Sequence, residues 1–184
     1  MKISRLSFAA LAFCALLAAT AQPAHAEPAV PDATAAVLDH INDYRARHSA
    51  PPLAADAGLA QGAQEWAERG VLQHSPREVN GGVGENLYIA LSSDPGRCDE
   101  RRLRSAVDMW YHEMLDYDFR TPSPQHTTHN FTQLVWKSSE RIGIGIAHVS
   151  REDSMQGCMV VARFDPPGNY VGRYEENVLP PQRG

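Results

Sequence analysis

Ile142-Gly143-Ile144-Gly145-Ile146-Ala147-His148-Val149 is the stretch that decides how this chain folds. Isoleucines alternate with small residues, and the two-residue period of a strand puts the isoleucines on one face while leaving the other nearly bare. A bare face implies that backbone or a neighbouring element comes close to it. Residues 159–164 form a second run rich in β-branched and apolar side chains and read as another strand. Asp165-Pro166-Pro167-Gly168-Asn169 follows as a strong turn signal.

Ahead of these strands the apolar residues recur at helical spacing. Asp32 is a candidate cap for a first helix carrying Val37, Ile41 and Tyr44, which Pro51 and Pro52 bring to an end. A second helix starts near Asp56, gathers Leu59, Ala63, Trp66 and Ala67 on one face, and meets a stop at Gly70. Asp99 can cap a third, with Leu103, Val107, Trp110 and Met114 along its buried stripe. Asn80-Gly81-Gly82 looks irregular, 121–125 form a proline-containing loop, and 130–136 suit a short helix or a strand by pattern alone. Helices followed by strands, without regular alternation, predict an α+β domain, such as a three-layer α-β-α sandwich, over a doubly wound one.

The first 26 residues read as a signal peptide: Lys2 and Arg5, an apolar run of about 14 residues, then Ala24-His25-Ala26 at the cleavage site. The run is short of the roughly 20 residues that span a bilayer. Phe13 stands where a lipid-attachment signal before Cys14 wants a small residue. One domain, residues 27–184 with its core at about 37–181, is therefore expected in a secreted or periplasmic setting. Without Lys2 and Arg5 the formal charge moves from −5 to near −7, which argues against nucleic acid as a partner. Cys98 and Cys158 remain, and in an oxidising compartment they are a candidate disulfide. Oligomeric state is not legible.

Among the histidines, His74 and His129 sit in polar, turn-like surroundings, and Glu85 and Glu113 are the carboxylates to weigh with them. If folding brought the four into one cleft, they would offer nitrogen and oxygen ligands to zinc or another divalent cation, with proton affinities that can be driven apart. By residue type alone, His74 is more often a loop histidine, Glu85 a turn carboxylate and Glu113 a solvated helix carboxylate. His126 and His129 are spaced like a minimal metal pair, but the helical metalloprotease motif is absent. Gly81, Gly82 and Gly84 lack the context of a nucleotide loop, and Ser75 and Ser92 stand in no nucleophile elbow.

His129-Asn130-Phe131-Thr132-Gln133-Leu134-Val135-Trp136 resembles the first signature of the CAP superfamily, the cysteine-rich secretory, antigen five and pathogenesis-related group one proteins. Residues 164–172 resemble the second. Asn42-Asp43-Tyr44-Arg45, His74-Ser75-Pro76, Gly84-Glu85-Asn86-Leu87 and Trp110-Tyr111-His112-Glu113 occur in the family's order, and the ending around Val178-Leu179-Pro180-Pro181 looks especially like the compact Golgi-associated type. The resemblance implies the α-β-α sandwich with a central cleft, metal ligands at His74 and His129, and Glu85 and Glu113 lining the same cleft. It further implies a secreted binding protein for a sterol, fatty acid or other lipid. The alternatives are a metal-assisted hydrolase using Glu85 or Glu113, and a noncatalytic effector of defence or virulence type that binds a protein partner.

Overall fold

A computed structural model of the protein describes residues 30–92, 97–151 and 155–182. The expected signal peptide and the first residues of the expected domain lie outside them. Among the described residues, no helix is long and apolar enough to cross a membrane.

Helix α1 spans Val30–Arg47, strand β1 Ala54–Ala55, α2 Ala57–Ala67 and α3 Arg77–Asn80. Strand β2 runs Gly84–Ser92 and α4 Glu100–His112, followed by a 3-10 turn at Glu113–Asp116. Then come α5 at His129–Leu134, β3 at Arg141–Ser150, β4 at Gln156–Asp165 and α6 at Tyr174–Asn177. The sheet order is β1-β3-β4-β2, with β1 parallel to β3 and the other pairings antiparallel.

Asp99 caps its helix as expected, and the helix expected near Asp56 is capped by Asp56 itself: the two carboxylates accept from the backbone N–H of Arg102 and Leu59. Helix α1 instead begins at Val30, two residues before the expected cap at Asp32. Proline is tolerated in a first turn, where its missing N–H would have no intrahelical partner anyway, so Pro31 does not bar the earlier start. Strand β2 was not expected. Its residues are mostly half-buried, in keeping with an edge strand, and its first residues are polar because they belong to the site described below.

The strand period separates two apolar layers. On one face Ile142, Ile144, Ile146, Cys158, Val160 and Phe164 pack with Ala33, Val37 and Ile41 of α1 and Leu103, Val107 and Trp110 of α4. On the other face Ala147, Val149, Met159 and Val161 pack with Ala63, Trp66 and Ala67 of α2. The result is the α-β-α sandwich. A smaller cluster of Tyr117, Phe131, Val135, Trp136, Tyr174 and Val178 anchors α5 and α6.

The bare face of β3 is where α2 comes closest. A Cβ on Gly143 would stand 2.0 Å from the Ala60 nitrogen, and one on Gly145 2.3 Å from the Gln64 nitrogen. Beyond the two residues paired with β1, the outer edge of β3 donates to helix side chains: Ile144 N–H to Thr34 Oγ1 and Ile146 N–H to Gln64 Oε1, both at 2.9 Å. The helices thus satisfy backbone groups that an open edge would expose.

Because a Gly143 side chain would collide with helix backbone, Gly143→Ala should cost about 3 kcal/mol of unfolding free energy, the upper end of ordinary overpacking. Urea denaturation of the folded variant measures this, and an unchanged midpoint would contradict the close approach.

Candidate functional site

Glu85 stands near the start of β2, directly opposite Arg163 of β4. Both side chains are buried, 3% and 7% exposed, with Arg163 Nε 3.5 Å from Glu85 Oε2. Helix α2 leaves room for this arginine at Gly62, where a Cβ would lie 2.2 Å from Arg163 Nη1. Ser75 donates its backbone N–H to Glu85 Oε1 at 2.9 Å and its hydroxyl to Oε2 at 2.5 Å. His74 Nδ1 lies 3.1 Å from Oε1, and its ring is 68% exposed. A buried, multiply bonded carboxylate thus holds a solvent-facing imidazole. Burial works against the charge on Glu85, but the bonds from His74 and Ser75 outweigh it and hold the carboxyl below its ordinary range.

Glu113 follows the last residue of α4 and reaches the start of α5. Its Oε2 accepts from the backbone N–H of Asn130 at 2.9 Å and of Phe131 at 3.0 Å, and its Oε1 accepts from Asn130 Nδ2 at 2.7 Å. A carboxylate at this position answers the free N–H groups and positive end of a helix. Burial nevertheless prevails over these bonds and pushes the Glu113 carboxyl up. His129 opens α5, and its ring lies 5.4 Å from that of His126 between centroids. Burial, followed by the positive potentials of His126 and His74, pushes the proton affinity of His129 down.

A hydrogen bond joins the halves: Asn86 Nδ2 donates to the Asn130 carbonyl at 2.9 Å. The side chains therefore form two pairs, Glu85 with His74 and Glu113 with the helix end bearing His129, tied across the β2 edge. No three of the four residues offer donor atoms that all lie within 4.8 Å of one another. Among the described residues, the only three His, Cys, Asp or Glu donors within 4.8 Å of one another belong to Cys98, His148 and Cys158. Cys98 and Cys158 form a disulfide of 2.04 Å.

Ser75, Arg163 and Asn130 hold the carboxylates, and their sequence context alone assigns them no site role. The usable signal was the pairing of Glu85 with Arg163, visible only once the strand register is known. Beside the site, a cavity of about 310 Å³ is lined by Leu87, Tyr88, Met109, Trp110, Leu115 and the polar Glu113 and Asn130, among others. Met109 and Leu115 are 54% and 69% exposed at its edge.

Residues 38–164 match the profile of the cysteine-rich secretory protein family, CAP. The chain is 38% identical over 153 residues to Golgi-associated plant pathogenesis-related protein 1 of Homo sapiens, covering 80% of this chain and 92% of that protein. It is 39% identical over 116 residues to cysteine-rich secretory protein 2 of Homo sapiens, covering 60% of this chain but only 44% of that longer protein. A crystal structure of NaASP2 with Zn2+ superposes with a TM-score of 0.63 at 21% identity, covering 83% of this chain and 87% of that one, a likeness of fold alone.

Because its bonds hold the folded-state carboxyl of Glu85 below its ordinary value, they stabilise the fold at neutral pH. That contribution is lost as pH falls through the unfolded value and then the folded one. Glu85→Gln should therefore be about 1 to 2 kcal/mol less stable at pH 7, with the difference shrinking on acidification. Urea midpoints of both proteins across pH test this, and a difference that stays constant would contradict the assignment.

Proposed function

The chain belongs to the CAP family, and from its site geometry we propose that it is an exported binding protein that takes a divalent cation such as zinc between His74 and His129 and an apolar lipid group in the adjoining cavity. The observation that carries the reading is the contact between Glu85 and His74. A carboxylate accepting from Nδ1–H fixes the tautomer and leaves the Nε2 lone pair facing outward, an arrangement that supports imidazole ligands in metal sites. Low proton affinity keeps the His129 imidazole neutral near pH 7, the form that can ligate. Glu85 and Glu113 have their oxygens engaged by donors, which suits them to orient ligands from behind. A bound zinc would supply Lewis acidity and leave coordination positions for water or an acidic ligand group. Relatives named as secretory support the exported setting.

The cavity is at the small end of ligand pockets, which run from about 300 to 1,000 Å³. The apolar part of its lining, Leu87, Met109, Trp110 and Leu115, suits a stretch of fatty acyl chain or one edge of a sterol, and the polar part, His112, Glu113, Asp116 and Asn130, suits a ligand headgroup. A hydrolytic reading draws on one observation: Glu113 lines this cavity with its carboxyl pKa raised by burial, the condition under which a glutamate serves as a general base. Glu85, whose carboxyl is held below its ordinary range, is the poorer base.

Calorimetric titration with zinc tests the cation site. His74→Ala and His129→Ala should each weaken binding at least about tenfold, Glu85→Gln by about tenfold, and His112→Ala should leave it unchanged. Equal affinity in wild type and both alanine variants defeats the metal reading. Loss of fluorescent fatty-acid binding in Met109→Glu and Leu115→Glu, with zinc affinity intact, is expected of the apolar site.

A further inference from the structure

The Cys98–Cys158 bond lies far along the sheet from the histidines of the proposed cleft. Cys158 is opposite Ala90 of β2 whereas Arg163 is opposite Glu85, a separation of five strand residues, or about 16 Å at the usual rise. Cys158 is fully buried, and Cys98, just ahead of the cap of α4, is 6% exposed. On the neighbouring strand His148 pairs directly with Cys158, so the two side chains leave the same face of the sheet. The His148 ring is exposed, and one of its nitrogens lies with both sulfurs in a set of donor atoms all within 4.8 Å of one another. Two sulfurs and an imidazole from three different segments thus converge at the rim of the layer between the sheet and α4.

We propose that this is a second, redox-gated metal site: with the disulfide reduced, the Cys98 and Cys158 thiolates and the His148 imidazole bind a thiophilic divalent cation of the zinc type, and the disulfide closes the site. Bonded to each other, the sulfurs carry no thiolate charge and offer no strong ligand. A dithiol reductant supplies two electrons and two protons, breaking the S–S bond and leaving two thiols while its own two thiols become a disulfide. Cation binding then releases both thiol protons to solvent, and neutral imidazole completes a sulfur-sulfur-nitrogen set. Two thiolates offset the charge of a divalent ion, so the largely buried centre carries no net charge, which lowers the cost of placing it there. Exposure of His148 provides an entry route and room for water as the fourth ligand.

Cobalt(II), a spectroscopic substitute for zinc, tests the proposal on the folded protein. The disulfide form should give no sulfur-to-cobalt charge-transfer absorption. After reduction with a phosphine, which is oxidised to its phosphine oxide and adds no competing thiol, one equivalent should give that absorption with intense tetrahedral ligand-field bands, and zinc should abolish both. His148→Ala and His148→Gln should weaken cobalt binding by about tenfold or more, whereas the His74→Ala/His129→Ala double variant should leave the sulfur signal unchanged. That last arm separates this site from the proposed cleft, so either can fail alone. Two titratable thiols with no charge-transfer band would overturn the proposal. So would a band indifferent to both His148 variants, or a reduced chain that loses its near-ultraviolet dichroism, since the site requires the paired strands.

Discussion

The guanidinium of Arg45 is the constraint on which the cleft side of the molecule depends. It is fully buried near the end of α1 and donates to four carbonyls: Pro51 at 2.9 Å through Nε, Leu134 at 2.9 Å and Trp136 at 3.0 Å through Nη1, and Ser139 at 3.0 Å through Nη2. Burial lowers its pKa to about 10, leaving it charged at neutral pH. These bonds tie the first helix to the end of α5 and to the segment leading into β3. A cation also complements the free carbonyls and negative end of a helix.

Helix α5 has only six residues, too few to be stable alone. Its N-terminus receives the Glu113 carboxylate and its last carbonyl, that of Leu134, receives Arg45, so opposite charges hold opposite ends. His129 is consequently placed by two residues distant in sequence that have no contact with its ring among the bonds described. The other half uses the same economy: Glu85 is fixed by Ser75 and Arg163, and it in turn fixes His74. Asn86, the next residue on β2, carries the connection to α5.

Local chemistry made much of the scaffold readable. The alternating glycines of β3 announced the approach of α2, and Asp56 and Asp99 marked helix starts because capping is a short-range interaction. Strand β2 has no alternating pattern to mark it: it opens on the polar Glu85 and Asn86 and continues as the unbroken apolar run Leu87-Tyr88-Ile89-Ala90-Leu91. The identities of His74, Glu85, Glu113 and His129 came from their motifs, but the division into two pairs did not. That division rests on the register of β2 against β4 and on Asn130, whose side chain holds Glu113 while its carbonyl receives Asn86. The cysteine pairing was an open alternative because proximity through folding leaves no trace in spacing.

The glycines under α2 also make the sandwich unequal. Where α2 crosses Gly143 and Gly145, helix and strand meet backbone to backbone, and side chains such as Trp66, Met159 and Val161 fill the space only beyond that contact. On the opposite side Trp110, Ile142, Ile144 and Phe164 separate the helices from the sheet. At the glycines α2 cannot settle nearer to β3 without backbone collision, whereas the cavity between β2 and α4 is bounded by side chains, whose rotamers can change the space open to a guest.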